Sequence, residues 1–236
     1  CEFNGNNNEG IGIEVMPTGR ASINNNLIYD YSGNTDNDNN YQMIGIRIQS
    51  QGIANIKNNI VYNCINEFRG RGDYIDRLNR GIGILVEDGS FTSILGNVLF
   101  SCGNKAYVSA PLSALINAPA NAVIEHNLLY KDADTRRKIT GGCQSFYEID
   151  ADPKFTDLAN GDFTLASDSP CIDKGPPDAQ YKDHNGSRND IGMFGGHNYI
   201  PNGRNTDKPI VLSLDMPIAV PAGGTVTIES TGATVK

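Results

Sequence analysis

The chain has 236 residues, with 19 Lys and Arg against 27 Asp and Glu, which gives a formal net charge of −8. This acidic balance argues against binding to nucleic acid or to anionic membrane surfaces, because both require a basic protein face. No run of about 18 apolar residues is present, so the sequence predicts no transmembrane segment.

One short pattern recurs four times between residues 23 and 130. It consists of an apolar residue, two variable residues, Asn, two apolar residues and an aromatic residue, and its copies lie at 23–29, 56–62, 94–100 and 124–130. A Gly-Ile element precedes the first three copies, at 10–15, 44–48 and 82–86. In each of these three copies, the Asn lies 14 positions after one Gly of the element, which is Gly12, Gly45 or Gly83. This constant separation predicts a repeat protein.

The spacing within and between the copies predicts strands stacked in coils. Ile11, Ile13 and Val15 alternate with small or polar residues, and this period of two is typical of strands. The Asn residues of successive copies are 33, 38 and 30 positions apart. In the first two intervals, the variation in length falls in the loop between the aromatic residue and the next Gly-Ile element. Loop insertions on one side are typical of solenoids. We therefore predict an all-β chain, a right-handed parallel β-helix that is a single-stranded solenoid with three strands per coil.

The Asn of each copy is predicted to make the sharp turn between the second and third strands. Asn tolerates the left-handed conformation, and its amide can bond the Asn of the next coil. The expected ladder comprises Asn26, Asn59, Asn97 and Asn127. The residues expected to stack inside are Ile23, Ile56, Ile94 and Ile124, with Leu27, Ile60, Val98 and Leu128 beside Tyr29, Tyr62, Phe100 and Tyr130.

The five cysteines include no CxxC pair, which weakens zinc-binding and thioredoxin-like interpretations. Cys64 and Cys102 lie two residues after the aromatic of their copies and are predicted to form a buried stack of thiols, with a disulfide as the alternative. Cys1 falls in the middle of a repeat, which predicts that the natural protein extends further toward its N-terminus. A lipid-bearing N-terminal cysteine is the alternative interpretation of Cys1.

The repeat is predicted to end after Tyr130. We expect one domain over residues 1–206, made of the coils and an irregular closing segment. Residues 207–236 are predicted to be a small β appendage or the start of a further β domain, because two alternating strand patterns lie at 208–214 and 224–230.

A series of short motifs fills the closing segment: 152–155 (DPKF), 160–165 (NGDFTL), 169–175 (SPCIDKG), 183–188 (DHNGSR) and 190–192 (DIG). The series resembles the C-terminal closing segment of bacterial right-handed parallel β-helix proteins in the pectate-lyase-like superfamily. Together with the coils, the resemblance covers about residues 1–200. It implies the fold but no single activity, because the superfamily includes polysaccharide lyases, glycosidases, epimerases and adhesins. The apolar residues of the segment are expected to cover the apolar end of the last coil: Phe155, Phe163, Leu165 and Ile172.

The resemblance also implies where a ligand would lie. Lyases of this superfamily use a groove along the outward face of the first strand of each coil, beside the loop that precedes it. The outward positions here are Glu14, Arg47 and Leu85, then Met16, Gln49 and Glu87, and the flanking loops are 30–43 and 63–80. The predicted substrate-binding residues are Glu14, Arg47, Gln49, Glu87, Arg69, Arg71 and Arg77. The alternative is that Glu14 and Arg47 form only a surface ion pair, which contributes little to stability.

Asp36 and Asp38 cluster carboxylates in the first long loop, which makes calcium a candidate cofactor because hard cations take oxygen ligands; the alternative is a solvated polar loop. No catalytic set can be identified. The polygalacturonase elements and the Asp-Pro-His-Glu signature of mannuronan epimerases are absent.

Two functional hypotheses follow. The first is an extracellular carbohydrate-directed protein, secreted or on a bacterial cell surface, that is polysaccharide lyase-like or binds an oligosaccharide. If it is an enzyme, a polysaccharide lyase or another carbohydrate-active enzyme is expected. The second is a non-catalytic structural or adhesive β-helix of the cell surface.

Overall fold

The computed structural model describes residues 1–8, 10–33, 42–66, 80–104, 113–132, 135, 137–199, 210–215 and 229–233. The chain divides into two compact units, Cys1–Tyr199 and Ile200–Lys236. Within the described residues, no helix has both the length and the apolar character needed to cross a membrane.

The first unit is a parallel β-helix, as predicted. Its strands form three five-stranded sheets in which all neighbours are parallel. The first sheet contains Gly10–Val15, Gln42–Ile48, Arg80–Val86, Ala114–Asn117 and Ile139–Thr140. The second sheet contains Arg20–Asn24, Ile53–Lys57, Phe91–Leu95, Val123–Glu125 and Ser145–Phe146. The third sheet contains Glu2–Asn4, Leu27–Tyr29, Ile60–Tyr62, Val98–Phe100 and Leu128–Tyr130.

A fourth, shorter parallel sheet lies after the third strand of three coils, and the sequence did not predict it. It contains Ser32–Gly33, Ile65–Asn66 and Gly103–Asn104. Coils 1 to 4 are named here by the strands that begin at Gly10, Gln42, Arg80 and Ala114, and coil 5 by the strand that begins at Ile139.

The Asn ladder is confirmed. The Nδ2 group of each Asn donates to Oδ1 of the next, at 2.9 Å from Asn26 to Asn59, from Asn59 to Asn97 and from Asn97 to Asn127. Each of these oxygens also accepts the backbone N–H of the preceding ladder residue. The ladder therefore satisfies buried polar groups at the same turn of every coil.

The prediction that each ladder Asn takes the left-handed conformation is wrong. This conformation belongs to the residue before each ladder Asn: Asn25 (φ 55°), Asn58 (φ 52°), Gly96 (φ 64°) and His126 (φ 55°). The turn thus divides two tasks between neighbours, with one residue bending the backbone and the next bonding along the stack.

The prediction that the repeat ends after Tyr130 was also wrong. Ile139–Thr140 and Ser145–Phe146 pair with coil 4, and Ile149 forms a bridge to Leu128. Tyr147 is left-handed at φ 62° and stacks on the ring of His126 at 4.7 Å. Glu148 occupies the fifth ladder position, where its carboxylate accepts the backbone N–H of Asn127 at 2.9 Å.

Both faces of the third sheet are buried, so one set of residues predicted to stack inside the coils lies elsewhere. The middle residues of its strands point into the coil core: Ile28, Val61, Leu99 and Leu129. Leu27, Ile60, Val98 and Leu128 instead lie on the outer face beside the stacked aromatics, in a second core. Both faces are apolar in the sequence, so alternation alone did not identify the inner one. The predicted inner stack of Ile23, Ile56, Ile94 and Ile124 is confirmed in register and buried.

The closing segment completes this second core from the side of the coils. Phe163 lies edge-on to Tyr29 of coil 1 and Tyr62 of coil 2, at centroid distances of 5.4 and 5.9 Å. Phe155 packs on Phe100 of coil 3. The segment therefore runs along the stack, and the prediction that it covers the apolar end of the last coil is wrong. Ile172 is not part of this core. Cys171 and Ile191 are buried in the core instead.

Hydrogen bonds fix the segment to the row of left-handed turn residues. Asn25 Nδ2 donates to the carbonyl oxygens of Met193 and Gly195, at 2.9 and 2.7 Å. Asn58 Nδ2 donates to Asn189 Oδ1, and the N–H of Gly192 donates to the carbonyl of Gly96. The segment also has secondary structure of its own: Phe155–Asp157 antiparallel to Asp162–Leu165, and the 3₁₀ turns Leu158–Asn160 and Ala179–Tyr181.

The glycines of the first sheet face inward, where the third sheet approaches closely. A Cβ on Gly12 would lie 2.6 Å from Ile28 Cγ2, and a Cβ on Gly45 would collide with Val61. The regular Gly of the repeat is thus required by packing. Cys64 and Cys102 are free, fully buried thiols, as predicted, and burial raises the pKa of Cys64 well above its usual value.

The second unit contains two described strands, Ile210–Asp215 and Glu229–Ala233, which pair antiparallel.

Candidate functional site

The predicted outward row lies on the first sheet as the register requires. Glu14 pairs with Arg47, and Arg47 pairs with Leu85, on three neighbouring strands. Gln49 and Glu87 follow in the turns after their strands. The structure thus brings together the four described residues that the sequence analysis selected, and the set is called the Arg47 row below.

Arg47 is the centre of the row and contacts carboxylates on both sides. Its Nη1 lies 3.2 Å from Glu14 Oε1, and its Nη2 and Nε donate to Glu87 Oε1 at 2.5 and 2.8 Å. Gln49 Nε2 donates to Glu14 Oε1 at 2.6 Å. One connected network therefore crosses three coils, and its three charged groups sum to a single negative charge.

The electrostatics of the row keep the Glu87 carboxylate ionised. Partial burial opposes ionisation of Glu87, but the hydrogen bonds and charge of Arg47, with hydrogen bonds from Ser50, prevail and lower the pKa of the Glu87 carboxyl. A carboxylate with a lowered pKa is a weak proton acceptor at neutral pH. It is a good acceptor for hydroxyl groups, because charged acceptors form the stronger hydrogen bonds.

The row is interrupted in coil 3. Leu85 has the register of an outward residue, yet it is only 4 % exposed. It joins Ile44 and Ile82, which are fully buried, in an apolar cluster separate from the coil core. The first sheet therefore has apolar residues on both faces here, whereas the sequence pattern predicted one buried face.

Five of the predicted site residues lie outside the described residues. These are the arginines of the second long loop, Arg69, Arg71 and Arg77, and the candidate calcium ligands, Asp36 and Asp38. Across the described ranges, no group of three or more His, Cys, Asp or Glu side chains is arranged to hold a metal ion.

Sequence reasoning missed one titratable group of the coils. Burial raises the pKa of Glu148 to about 7, against the hydrogen bonds that it accepts from Asn127. Its ladder position was hidden because Glu replaces Asn. The signal that reveals it is the run Phe146-Tyr147-Glu148-Ile149, which aligns with Glu125-His126-Asn127-Leu128 of coil 4.

The coils, the Asn ladder and the lateral closing segment define this unit as a parallel β-helix. Compared with known proteins, the chain matches no family, no curated protein and no solved structure.

Proposed function

We propose that this chain is an extracellular β-helix protein that binds an oligosaccharide on the Arg47 row. The observation that carries the proposal is the connected network of Glu14, Arg47, Gln49 and Glu87 on one face of three stacked coils. Its carboxylates and amide offer acceptors and a donor at the coil spacing of about 4.8 Å, which suits a chain of sugar hydroxyls. The resemblance of residues 146–195 to closing segments of the pectate-lyase-like superfamily supports the carbohydrate class by analogy.

Binding fits the geometry better than lyase chemistry. A polysaccharide lyase needs a cation to neutralise the uronate carboxylate and a base to remove the adjacent proton. Arg47 is already neutralised by two carboxylates, and the lowered pKa of Glu87 makes it a poor base. An acidic sugar would have to displace Glu14 or Glu87 from Arg47, so the row favours hydroxyl-rich sugars over uronates.

The charged groups of the Arg47 row pair with one another, which also supports a second candidate function: a rigid spacer or adhesive rod of the cell surface. Every charged group of the network has a partner within the network. Such a surface needs no ligand to be stable, and the continuous ladder would make the coils stiff.

Calorimetric titration against a panel of neutral and acidic oligosaccharides separates the two candidates. We expect wild type to bind a glycan of the panel, and Arg47→Ala and Gln49→Ala to weaken binding at least about tenfold, or about 1.4 kcal/mol. Lys154→Ala is the matched control, since it removes one exposed ion-paired cation from the closing segment. We expect no ultraviolet-absorbing unsaturated product.

Equal affinity of wild type and both row variants would reject the Arg47 row as the site. Absence of binding across the panel would favour the spacer candidate.

A further inference from the structure

The outer face of the second sheet differs from those of the other two. The closing segment covers the third sheet, and Ile44, Ile82 and Leu85 of the first sheet are buried. On the second sheet, four large apolar side chains project outward and are exposed: Ile53, Phe91, Val123 and Phe146, at 36, 64, 50 and 52 %. Exposed apolar groups concentrated on one face mark an interaction surface.

A cleft forms where this face reaches coils 4 and 5. Its volume is about 480 Å³, within the range of about 300–1,000 Å³ for small-molecule sites. Val123 and Phe146 line it, together with Glu125 and Gln144. Gly142, left-handed at φ 92°, lines another side, and apart from its chain neighbours no described atom lies within 4 Å of where its Cβ would be.

The two polar side chains that line the cleft, Glu125 and Gln144, are available to bind a ligand. Within the described part of the chain, neither the Glu125 carboxylate nor the Gln144 amide makes a side-chain hydrogen bond or an ion pair. Glu125 lies directly beside Phe146 on the neighbouring strand. The cleft thus combines an aromatic surface with a charged acceptor, an amide donor and an amide acceptor.

This combination selects the chemistry of the ligand. A pyranose ring has an apolar C–H face that packs on an aromatic ring, and an edge of hydroxyls that donate to carboxylate and amide oxygens. Among the described residues, the cleft is lined by a carboxylate and by no Lys or Arg, so an acidic sugar or a phosphate would meet repulsion. We infer that the cleft between Val123, Glu125, Gln144 and Phe146 is a second glycan-binding site, specific for an uncharged oligosaccharide. It lies on a different sheet from the Arg47 row, and the inference stands whether or not that row binds glycan.

The chain contains no Trp, which allows a reporter to be placed in the cleft alone. Phe146→Trp introduces one fluorophore at a position that is half exposed, so the fold should be retained. Titration with neutral oligosaccharides of glucose, mannose, galactose and xylose should change its emission in a saturable way. Phe91→Trp is the matched control, on the same sheet but in coil 3 and outside the cleft, and its emission should not change.

Affinity measurements complete the test. Phe146→Ala and Gln144→Ala should each raise the calorimetric Kd at least about fivefold, whereas Phe91→Ala should alter it less than about twofold. Arg47→Ala should leave the Phe146→Trp signal intact, so failure of the row and failure of the cleft are distinguishable. Unchanged emission across the panel would overturn the inference, and so would equal affinity of wild type and Phe146→Ala. A concentration-dependent dimer abolished by Phe146→Ser would also overturn it, because a second copy of the chain would then be the occupant.

Discussion

The two faces of the third sheet are built on different rules. On the inner face, each residue contacts its equivalents in the coils above and below, so the core of Ile28, Val61 and Leu99 is periodic. On the outer face, the partner is an aperiodic segment, and Asn25 bonds to residues 168 and 170 positions away. The coils thus have nearest-neighbour stability, as in other solenoids, while the closing segment joins distant coils into one unit.

The largest expected effect comes from breaking the aperiodic side. Phe163 is 5 % exposed, and its ring contacts coil 1, coil 2 and Phe155. Phe163→Ala should lower the free energy of unfolding by about 3–5 kcal/mol, as for other buried aromatics. Chemical denaturation measures the change.

The exposed Phe146 provides the control for that experiment, because Phe146→Ala should shift stability by less than about 0.5 kcal/mol. If Phe163→Ala is equally mild, the segment does not stabilise the coils, and the contrast between the two faces is wrong.

A smaller effect should follow from breaking the periodic side. Asn59 is fully buried, and its side chain bonds Asn26, Asn97 and the carbonyl of Ile23. Asn59→Leu removes these bonds and leaves the buried backbone N–H of Asn26 without its acceptor, so it should cost about 1–3 kcal/mol of stability. Denaturant melts of the variant and of Asn55→Leu, an exposed change in the same coil, test it.

The comparison also separates what the sequence can predict from what it cannot. Period-two alternation and the constant spacing from Gly to Asn predicted the coils, the register and the ladder, because periodic contacts leave a periodic signal. The contacts of the closing segment are not periodic and leave no such signal, so nothing in the sequence placed Phe163 beside Tyr29. Consecutive Asn residues at the turns of coils 1 and 2 concealed which one takes the left-handed conformation.

The candidate site shows the same limit. Register alone placed Glu14 beside Arg47, since both lie on neighbouring strands of a repeat. The bond from Arg47 to Glu87 depends on how long side chains extend across a turn, which spacing does not encode. The cleft at Phe146 was missed because coil 5 was not identified as a coil.

The smallest expected effect lies where the two regions meet. Glu148 ends the ladder, and the closing segment follows it directly. Its pKa in the folded protein is raised to about 7, above the ordinary value of 4.5, so the folded state binds its proton more tightly than the unfolded state does. The stability linked to this group is therefore fully present below about pH 4.5 and is lost as the pH rises through about 7.

Glu148→Gln should abolish this part of the pH dependence while keeping an acceptor for the N–H of Asn127. Between about pH 5 and 8, wild type should lose on the order of 1 kcal/mol more stability than the variant. Asp190, whose pKa burial raises to about 6, contributes equally to both proteins and cancels in the difference. Asp168→Asn is the control, because the Lys154 hydrogen bond lowers the pKa of that exposed carboxyl below this range. Parallel stability profiles for wild type and Glu148→Gln would show that the last ladder position is solvated, and that the ladder ends at Asn127.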